Sequence, residues 1–508
     1  MTVTVHKKNE HNRFPGGPAM TLPESDQGVF RYVTVEKHVL ALIEAGSLRP
    51  GERIPSLRAL GARLGVSVST VNQAYMELER RGVVEARPKS GFFVRESPGA
   101  RTPAPRPQGQ PAKPPTTVNR GALIREVLDG MGRRDIVPLG VALTDEAFLP
   151  TKQLSRLLAK AAAGSAQEVV SYESVRGNLA LRRQIAWRLG EAGIEAGPED
   201  VMVTAGAMEA LYIALRSVTR PGDNVAIAAP SYYCFLQLLE NFGLRAVELP
   251  SHPGDGVRPE DLAAALDRYS IAAVILTPNF NNPDGARIPD TAKAEMAAML
   301  AARNVPLIED DVYGDLAFEG GRPRCIASYD TGGHVLHCSS FSKTLAPGFR
   351  VGYLLPGRHA AKAFEIKATT NVCCATPTQM AVAEYLAQGS FERHIRKVRA
   401  VLERQSRMME QRILAHFPAG TRVSHPSGGT VLWAQLPPPV DSIRLFYEAK
   451  AKGIGLAPGN IFSSCDQFNG FVRISFGNAW TPAVDEAVAE VGRLAAAQCA
   501  QGEADRAD

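Results

Sequence analysis

From Tyr32 to Ala45 apolar residues fall at helical spacing, with Val35, Val39, Leu42 and Ile43 on one face and Gly46 closing the run. The segment R-P-G-E-R-I-P over 49–55 is a turn. Ser56 then caps a helix carrying Leu57, Leu60 and Leu64, and Ser67, after Gly65 and Val66, caps another. On that third helix Val71, Ala74, Tyr75 and Leu78 form an inward stripe, which turns Ser69, Thr70, Asn72 and Gln73 outward. Two short β-rich pieces follow, Val83 to Ala86 and Phe92 to Val94, joined by R-P-K-S-G.

Helix, short helix, turn, polar-faced helix and hairpin predict a winged helix-turn-helix over residues 30–95, its last helix suited to the major groove. The outward hydroxyls and amides, with Ser67, suit base edges or phosphates, while Arg58, Arg87 and Lys89 suit phosphates. A small protein-binding helical domain would show the same pattern. Periodicity then stops between Glu96 and Arg120, where the run S-P-G-A-R-T-P-A-P-R-P-Q-G-Q-P-A-K-P-P forbids a helix or central strand. This reads as a linker over 96–120; as polyproline II it would reach about 75 Å.

Beyond it the body starts at Leu123 to Leu128, and helical stretches (Thr151 to about Gly164, Leu179 to Leu189) give way to apolar strands alternating with helices. The strands are Val201 to Val203, Asn224 to Ala228, Ala246 to Leu249, Ala273 to Leu276, Pro306 to Ile308 and Val335 to Cys338. Such alternation predicts an α/β body with a large, mostly parallel sheet and ligands at the carboxyl ends of its strands. A long helix (Ser390 to His416) and strands at Thr430 to Gln435 and Phe471 to Phe476 predict a small C-terminal α/β domain. The body spans 121–500, with tails expected to be disordered at 1–29 and 501–508; Met20 is a second candidate start.

Composition sharpens this picture. A chain of 508 residues with 45% hydrophobic positions supports two or three cores. No apolar run reaches the roughly 18 residues of a membrane span. Residues 1–120 hold 18 Lys and Arg against 10 Asp and Glu, leaving 39 against 42 for the rest, so the net charge of +5 belongs to the N-terminal part. That asymmetry suits a nucleic-acid-facing module on a near-neutral body. Seven scattered cysteines without C-x-x-C spacing argue against a disulfide framework or a zinc site and fit a reduced cytoplasm.

The candidate chemistry centres on S-S-F-S-K-T-L-A-P-G-F-R, residues 339–350. A lysine after an apolar strand is desolvated, which lowers an amine's pKa by up to roughly 3 to 5 units and makes Lys343 a nucleophile able to form a Schiff base. Ser340 and Arg350 supply donors for a phosphate beside it. Gly206, Ala207 and Met208 begin a helix whose free N–H groups suit phosphate. Tyr232 follows another strand and can stack on a pyridine ring. Asn282, Asp310 and Tyr313 follow later strands, and a buried carboxylate such as Asp310 needs a cationic partner. Taken singly, each of these is also explained by turns or core packing.

In their order these motifs resemble two families. I-P-S-L-R-A-L, the V-S-x-S-T-V-x-x-A-Y helix and the S-G-F-F-V wing are similar to the GntR family of bacterial transcription factors, which implies DNA contacts at Arg58, the start of the third helix and the wing tip at Gly91. Many members carry a basic residue where this chain has Val68. S-x-x-K followed by P-G-x-R-x-G resembles fold-type I aminotransferases over about residues 120–500. That resemblance implies pyridoxal 5′-phosphate joined to Lys343, its ring nitrogen on Asp310, and its 3-oxygen on Tyr313 and Asn282. The ring face falls to Tyr232; the phosphate falls to Ala207, Met208, Ser340, Arg350 and the neighbouring subunit's copy of Tyr172, in a homodimer. Arg473, in F-V-R-I-S-F-G, matches the arginine that grips a substrate carboxylate.

Both modules in one chain resemble the MocR/GabR-type regulators. The implied function is a cytoplasmic transcriptional regulator that binds paired DNA half-sites and senses an amine or amino acid by aldimine exchange at Lys343. The alternatives are an active aminotransferase with an accessory DNA-binding module, and a regulator of vitamin B6 metabolism that senses the cofactor itself.

Overall fold

The computed structural model describes residues 31–504, apart from 45–46, 50, 81–82, 88–89, 95–102, 107–113, 119–120, 129–132, 134 and 165. The chain divides into two compact units, residues 1–101 and 102–508. Lys89 and the expected N-terminal tail lie outside the described residues, as does the side chain of Arg87.

The first unit consists of helices α1 (Arg31–Glu44), α2 (Leu57–Leu64) and α3 (Val68–Arg80) and a hairpin of β1 (Val84–Arg87) and β2 (Gly91–Val94). Ser56 accepts the Ala59 N–H, and Ser67 accepts the Thr70 N–H, so both expected caps are in place. Gly65 sits at φ +66° and closes α2 through its bond to the Gly61 carbonyl. The inward stripe of α3 is fully buried with Val35, Val39 and Leu60. Tyr75 keeps its polar end satisfied by donating to the Pro55 carbonyl at 2.7 Å. Hairpin register pairs Val84 with Val94 and Arg87 with Gly91.

The second unit is built on a sheet of β3 (Thr116–Thr117), β4 (Met202–Thr204), β5 (Asn224–Ala229), β6 (Arg245–His252), β7 (Gly256–Val257), β8 (Ile271–Leu276), β9 (Leu307–Asp310), β10 (Val335–Ser340) and β11 (Gly352–Leu355). The order is β3-β6-β5-β8-β9-β10-β11-β4, with β7 beside β6. β6, β5, β8, β9 and β10 are mutually parallel, and β11 runs antiparallel between β10 and β4. The central strands are apolar throughout because both faces are covered: Val225, Ile227, Ile275 and Ile308 enter one core, Ala226, Ala228, Val274 and Leu307 the other. A second sheet has the order β12-β13-β15-β14, from β12 (Arg422–Val423), β13 (Val431–Gln435), β14 (Ala457–Pro458) and β15 (Phe471–Ser475). It packs with the helices Ser390–His416 and Pro482–Ala504.

Two boundaries differ from the sequence expectation. Helix Pro482–Ala504 runs past residue 500, carried by the helix-forming alanines of its last turns. Parts of the proline-rich stretch are held on the second unit: Thr116 and Thr117 pair with β6, Val118 is buried, and the Pro103 carbonyl accepts from Val423. Proline removes donors but leaves carbonyls free to bond, so such a stretch can still be held at an edge.

Candidate functional site

The sequence-predicted residues of the body gather at the carboxyl ends of the parallel strands. Gly206 to Met208 follow β4, Tyr232 follows β5, Asn282 follows β8, Asp310 ends β9, and Ser340 ends β10 with Lys343 three residues on. Period-two alternation decides which side each strand residue faces. Asp310 and Cys338 are ladder partners, as are Glu309 and His337 on the opposite face.

Lys343 is half-buried and donates to the Ala142 carbonyl at 2.6 Å, with its amine 5.8 Å from the centre of the Tyr313 ring. Burial, with the charge of Arg473, lowers its pKa to about 8. A larger fraction of free amine at neutral pH follows, which is what a nucleophilic lysine needs. Its own carbonyl accepts from Thr144 Oγ1 at 2.7 Å, and the next carbonyl, of Thr344, accepts from His394 Nε2 at 2.7 Å. Asp310 is 4% exposed, and burial beside Asp311 pushes its carboxyl up to about 7. Its Oδ1 has no hydrogen-bond partner among the described residues. A buried carboxylate oxygen left open in this way calls for a donor from outside the chain.

Asn282 Nδ2 donates to the Tyr313 hydroxyl at 3.4 Å, and Asn282 Oδ1 accepts from Arg473 Nη1 at 2.8 Å. Burial holds the Tyr313 phenol well above its usual range, so it stays protonated and able to donate. Arg473 is 1% exposed, gives Nη2 to the Gly140 carbonyl, lies 4.9 Å from the Phe462 ring centre and has no partner for Nε among the described residues. Tyr232 is half-buried and packs against Tyr233 at 4.8 Å.

Gly206, at φ +87°, precedes the helix Ala207–Val218 with no side-chain cap, which leaves the first N–H groups without intrahelical partners. Arg350, at φ +53°, donates through Nη2 to the Ala205 carbonyl at 3.0 Å, and a Cβ on Gly206 would collide with its guanidinium. A Cβ on Gly352 would fall 2.6 Å from the Gly206 backbone, so both glycines keep this cup open. Ser340 Oγ accepts the Ser342 N–H at 3.4 Å. Tyr172, by contrast, is 88% exposed on a loop of the same unit. Pyridoxal phosphate fits this set: an open carboxylate for a protonated ring nitrogen, phenol and amide for an oxygen, helix N–H groups and a guanidinium for a phosphate, and an amine for the carbonyl.

Sequence reading missed the groups behind these residues. Asp311 is held by Arg322, Asn279 Nδ2 at 3.0 Å and Cys325, and Arg322 also bonds Asp315 at 2.6 Å. Glu309 accepts from His337 and from the N–H groups of Ile326 and Ala327. The triplet E-D-D at 309–311 was the available signal, since three consecutive acids at a strand end must each find a partner.

In the first unit Arg58, Ser67, Ser69, Gln73 and Gly91 are exposed, while Thr70 and Asn72 are partly covered. Ser67 Oγ is shared with Ser69 and Thr70, each at 2.8 Å, and Asn72 Nδ2 leans on Met76 Sδ at 3.6 Å. Gly91 turns the wing at φ +98° against the Arg53 side chain.

Residues 140–491 match the family model for aminotransferase class I and II, and residues 31–94 match that for bacterial regulatory proteins of the gntR family. Similar proteins in Escherichia coli strain K12 are the uncharacterized HTH-type transcriptional regulators YjiR, 35% identical over 91% of this chain and 98% of its own, and YdcR, 34% identical over the same shares. Among solved structures, the α-aminoadipate aminotransferase LysN from Thermus thermophilus, complexed with N-(5′-phosphopyridoxyl)-L-leucine, is similar at TM-score 0.68 and 26% identity, covering 75% of this chain and 96% of its own.

Proposed function

We propose, for a chain that belongs to the aminotransferase class I and II family and to the HTH-type regulators carrying a gntR-family domain, that its body is an amine sensor controlling its DNA-binding unit. The protein is a DNA-binding transcriptional regulator, and its cofactor is pyridoxal 5′-phosphate. When bound, the cofactor supplies an electrophilic carbonyl carbon.

The reading rests on one observation above all. The low-pKa amine of Lys343 and the open oxygen of Asp310 lie within electrostatic reach of each other, in a chain that also exposes the polar face of α3. Lys343 would be the residue that holds the cofactor through its carbonyl carbon, the position for which an effector amine would compete, and its low-pKa amine could hold or give up a proton there. Asp310 keeps a proton on the ring nitrogen, Tyr313 and Asn282 hold the neighbouring oxygen, and Tyr232 covers the ring. Ala207, Met208, Ser340 and Arg350 seat the phosphate. Arg473 receives a carboxylate on the effector, which selects amino acids over simple amines.

Effector and cofactor-only forms must differ in affinity for DNA, since only differential binding shifts an equilibrium between arrangements. A single DNA-binding module buries only roughly 600 to 1,000 Å² of protein surface. Two modules of a cytoplasmic homodimer therefore act on paired half-sites, with Arg58, Ser67, Ser69, Thr70, Asn72, Gln73, Lys89 and Gly91 facing DNA.

The test combines an amino-acid panel, a keto-acid acceptor and the chain's own upstream DNA. Amino acids that shift the cofactor's absorbance are expected to change DNA affinity, and Lys343→Ala is expected to abolish the lysine-linked band. Fast multiple turnover without specific DNA binding would reject the sensor in favour of a working aminotransferase. Release or gain of DNA on cofactor removal alone would favour sensing of the cofactor itself.

A further inference from the structure

β12 is an edge strand, and part of the proline-rich stretch covers it. The Val423 N–H donates to the Pro103 carbonyl at 3.1 Å, and Arg422 Nη1 donates to that of Ala104 at 3.3 Å. The Arg106 N–H donates to Gln435 Oε1, on β13, at 2.9 Å. Between these ties Pro105 is buried although Pro103, Ala104 and Arg106 are exposed. It enters a cleft walled on one side by Trp433, Phe468 and Phe471 and on the other by Pro230, Ser251 and Asp284. Proline suits this position, since it brings no N–H to leave unpaired and little backbone freedom to lose.

The same two walls meet at Arg473. Its ladder partner across β15 and β13 is Trp433, which stacks on Phe471 with centroids 5.3 Å apart. On the other side Arg473 holds Asn282, and the neighbouring Asn281 donates to the Pro230 carbonyl at 3.3 Å and to Asp284 Oδ1 at 2.9 Å. Both terminal nitrogens of Arg473 are already engaged, by Asn282 and by the Gly140 carbonyl. A carboxylate drawn to its planar fork competes with both of them for the guanidinium's N–H groups. Losing the Asn282 bond loosens one tie between these walls, and the hydrogen-bonded ladder from β15 through β13 to β12 joins Arg473 to the strand that holds Pro103.

Taking Arg473 as the effector's carboxylate partner, as proposed above, we infer that this cleft is a seat for residues 103–106 and that effector binding changes its hold on them. The first unit ends at Arg101, two residues before Pro103. The seat thus holds the part of the body nearest in sequence to the DNA-binding unit, and releasing it adds residues 103–106 to the connection with that unit.

The full-length chain is loaded either with pyridoxal phosphate or with N-(5′-phosphopyridoxyl)-L-leucine, the adduct held by the Thermus enzyme. The adduct brings a carboxylate without turnover. Hydrogen exchange of peptides containing Val423 and Arg106 is expected to differ by at least about threefold between the two forms, alongside a difference in affinity for upstream DNA. Pro105→Gly is expected to erase the difference in DNA affinity while uptake of both compounds is unchanged. Equal exchange in the two forms overturns the seat and leaves the sensor reading standing. A full difference in DNA affinity in Pro105→Gly also overturns it. Failure to take up the adduct sinks the site assignment itself, and the seat with it.

Discussion

Asp310 sits in an environment far from that of a carboxylate in water. Burial first, and the neighbouring Asp311 second, push its carboxyl up to about 7. In the cofactor-free protein the native state therefore keeps a proton that the unfolded chain has lost between about pH 4 and pH 7. Because the native state binds more protons there, its stability falls as pH rises through that window and levels off above it. Urea denaturation of the cofactor-free protein against Asp310→Asn should show the variant gaining on wild type by up to about 4 kcal/mol between those limits. A constant gap would mean that Asp310 is ionised throughout. Their place after an apolar strand made Asp310 and Tyr313 readable from sequence. The partner of Asp311 was not, because Arg322 lies eleven positions away in a loop with no periodic signal.

At the scale of elements, the two helix starts that matter are prepared differently. Ser67 caps α3 with its own hydroxyl, whereas Gly206 brings no side chain to cap the first N–H groups of its helix. Gly206→Ala is expected to weaken cofactor binding by at least about tenfold, since φ +87° and the nearby Arg350 both exclude a Cβ. Titration of apo protein with pyridoxal phosphate, followed by absorbance, checks this. On α3, Gln73→Ala should cost about 1 to 3 kcal/mol at the specific operator and little on random DNA. Arg58→Ala should weaken both and reduce the salt slope by about one. Salt-dependent DNA binding separates the two; identical behaviour would remove α3 from the reading role.

For the whole molecule, the exposure of Tyr172 is the outstanding fact. A tyrosine 88% exposed on a loop of the body gains a purpose if a second copy supplies the site it completes. Mixing Lys343→Ala chains with Tyr172→Ala chains then regenerates intact sites: random reassortment puts about half the chains' dimers in mixed form, each with one whole site. The expected readout is recovery of about a quarter of wild-type cofactor absorbance at low cofactor concentration, above that of either variant alone. No recovery, with mixed dimers demonstrated by mass, would confine each site to one chain.

The sequence by itself determined the division into a basic helical module and an α/β body, the helices of the first unit, most strands of the parallel core, and the residues that follow those strands. Local spacing suffices for those, because caps, stripes and strand ends are set by neighbours a few positions apart. Only the tertiary structure decided that β11 returns antiparallel to bring Arg350 over Gly206, and that Arg473 reaches Asn282 across 191 positions. It alone decided that Pro105 is buried within an otherwise open proline run. Those contacts are won by burial and by unpaired polar groups finding partners from distant segments, a competition that local spacing does not record.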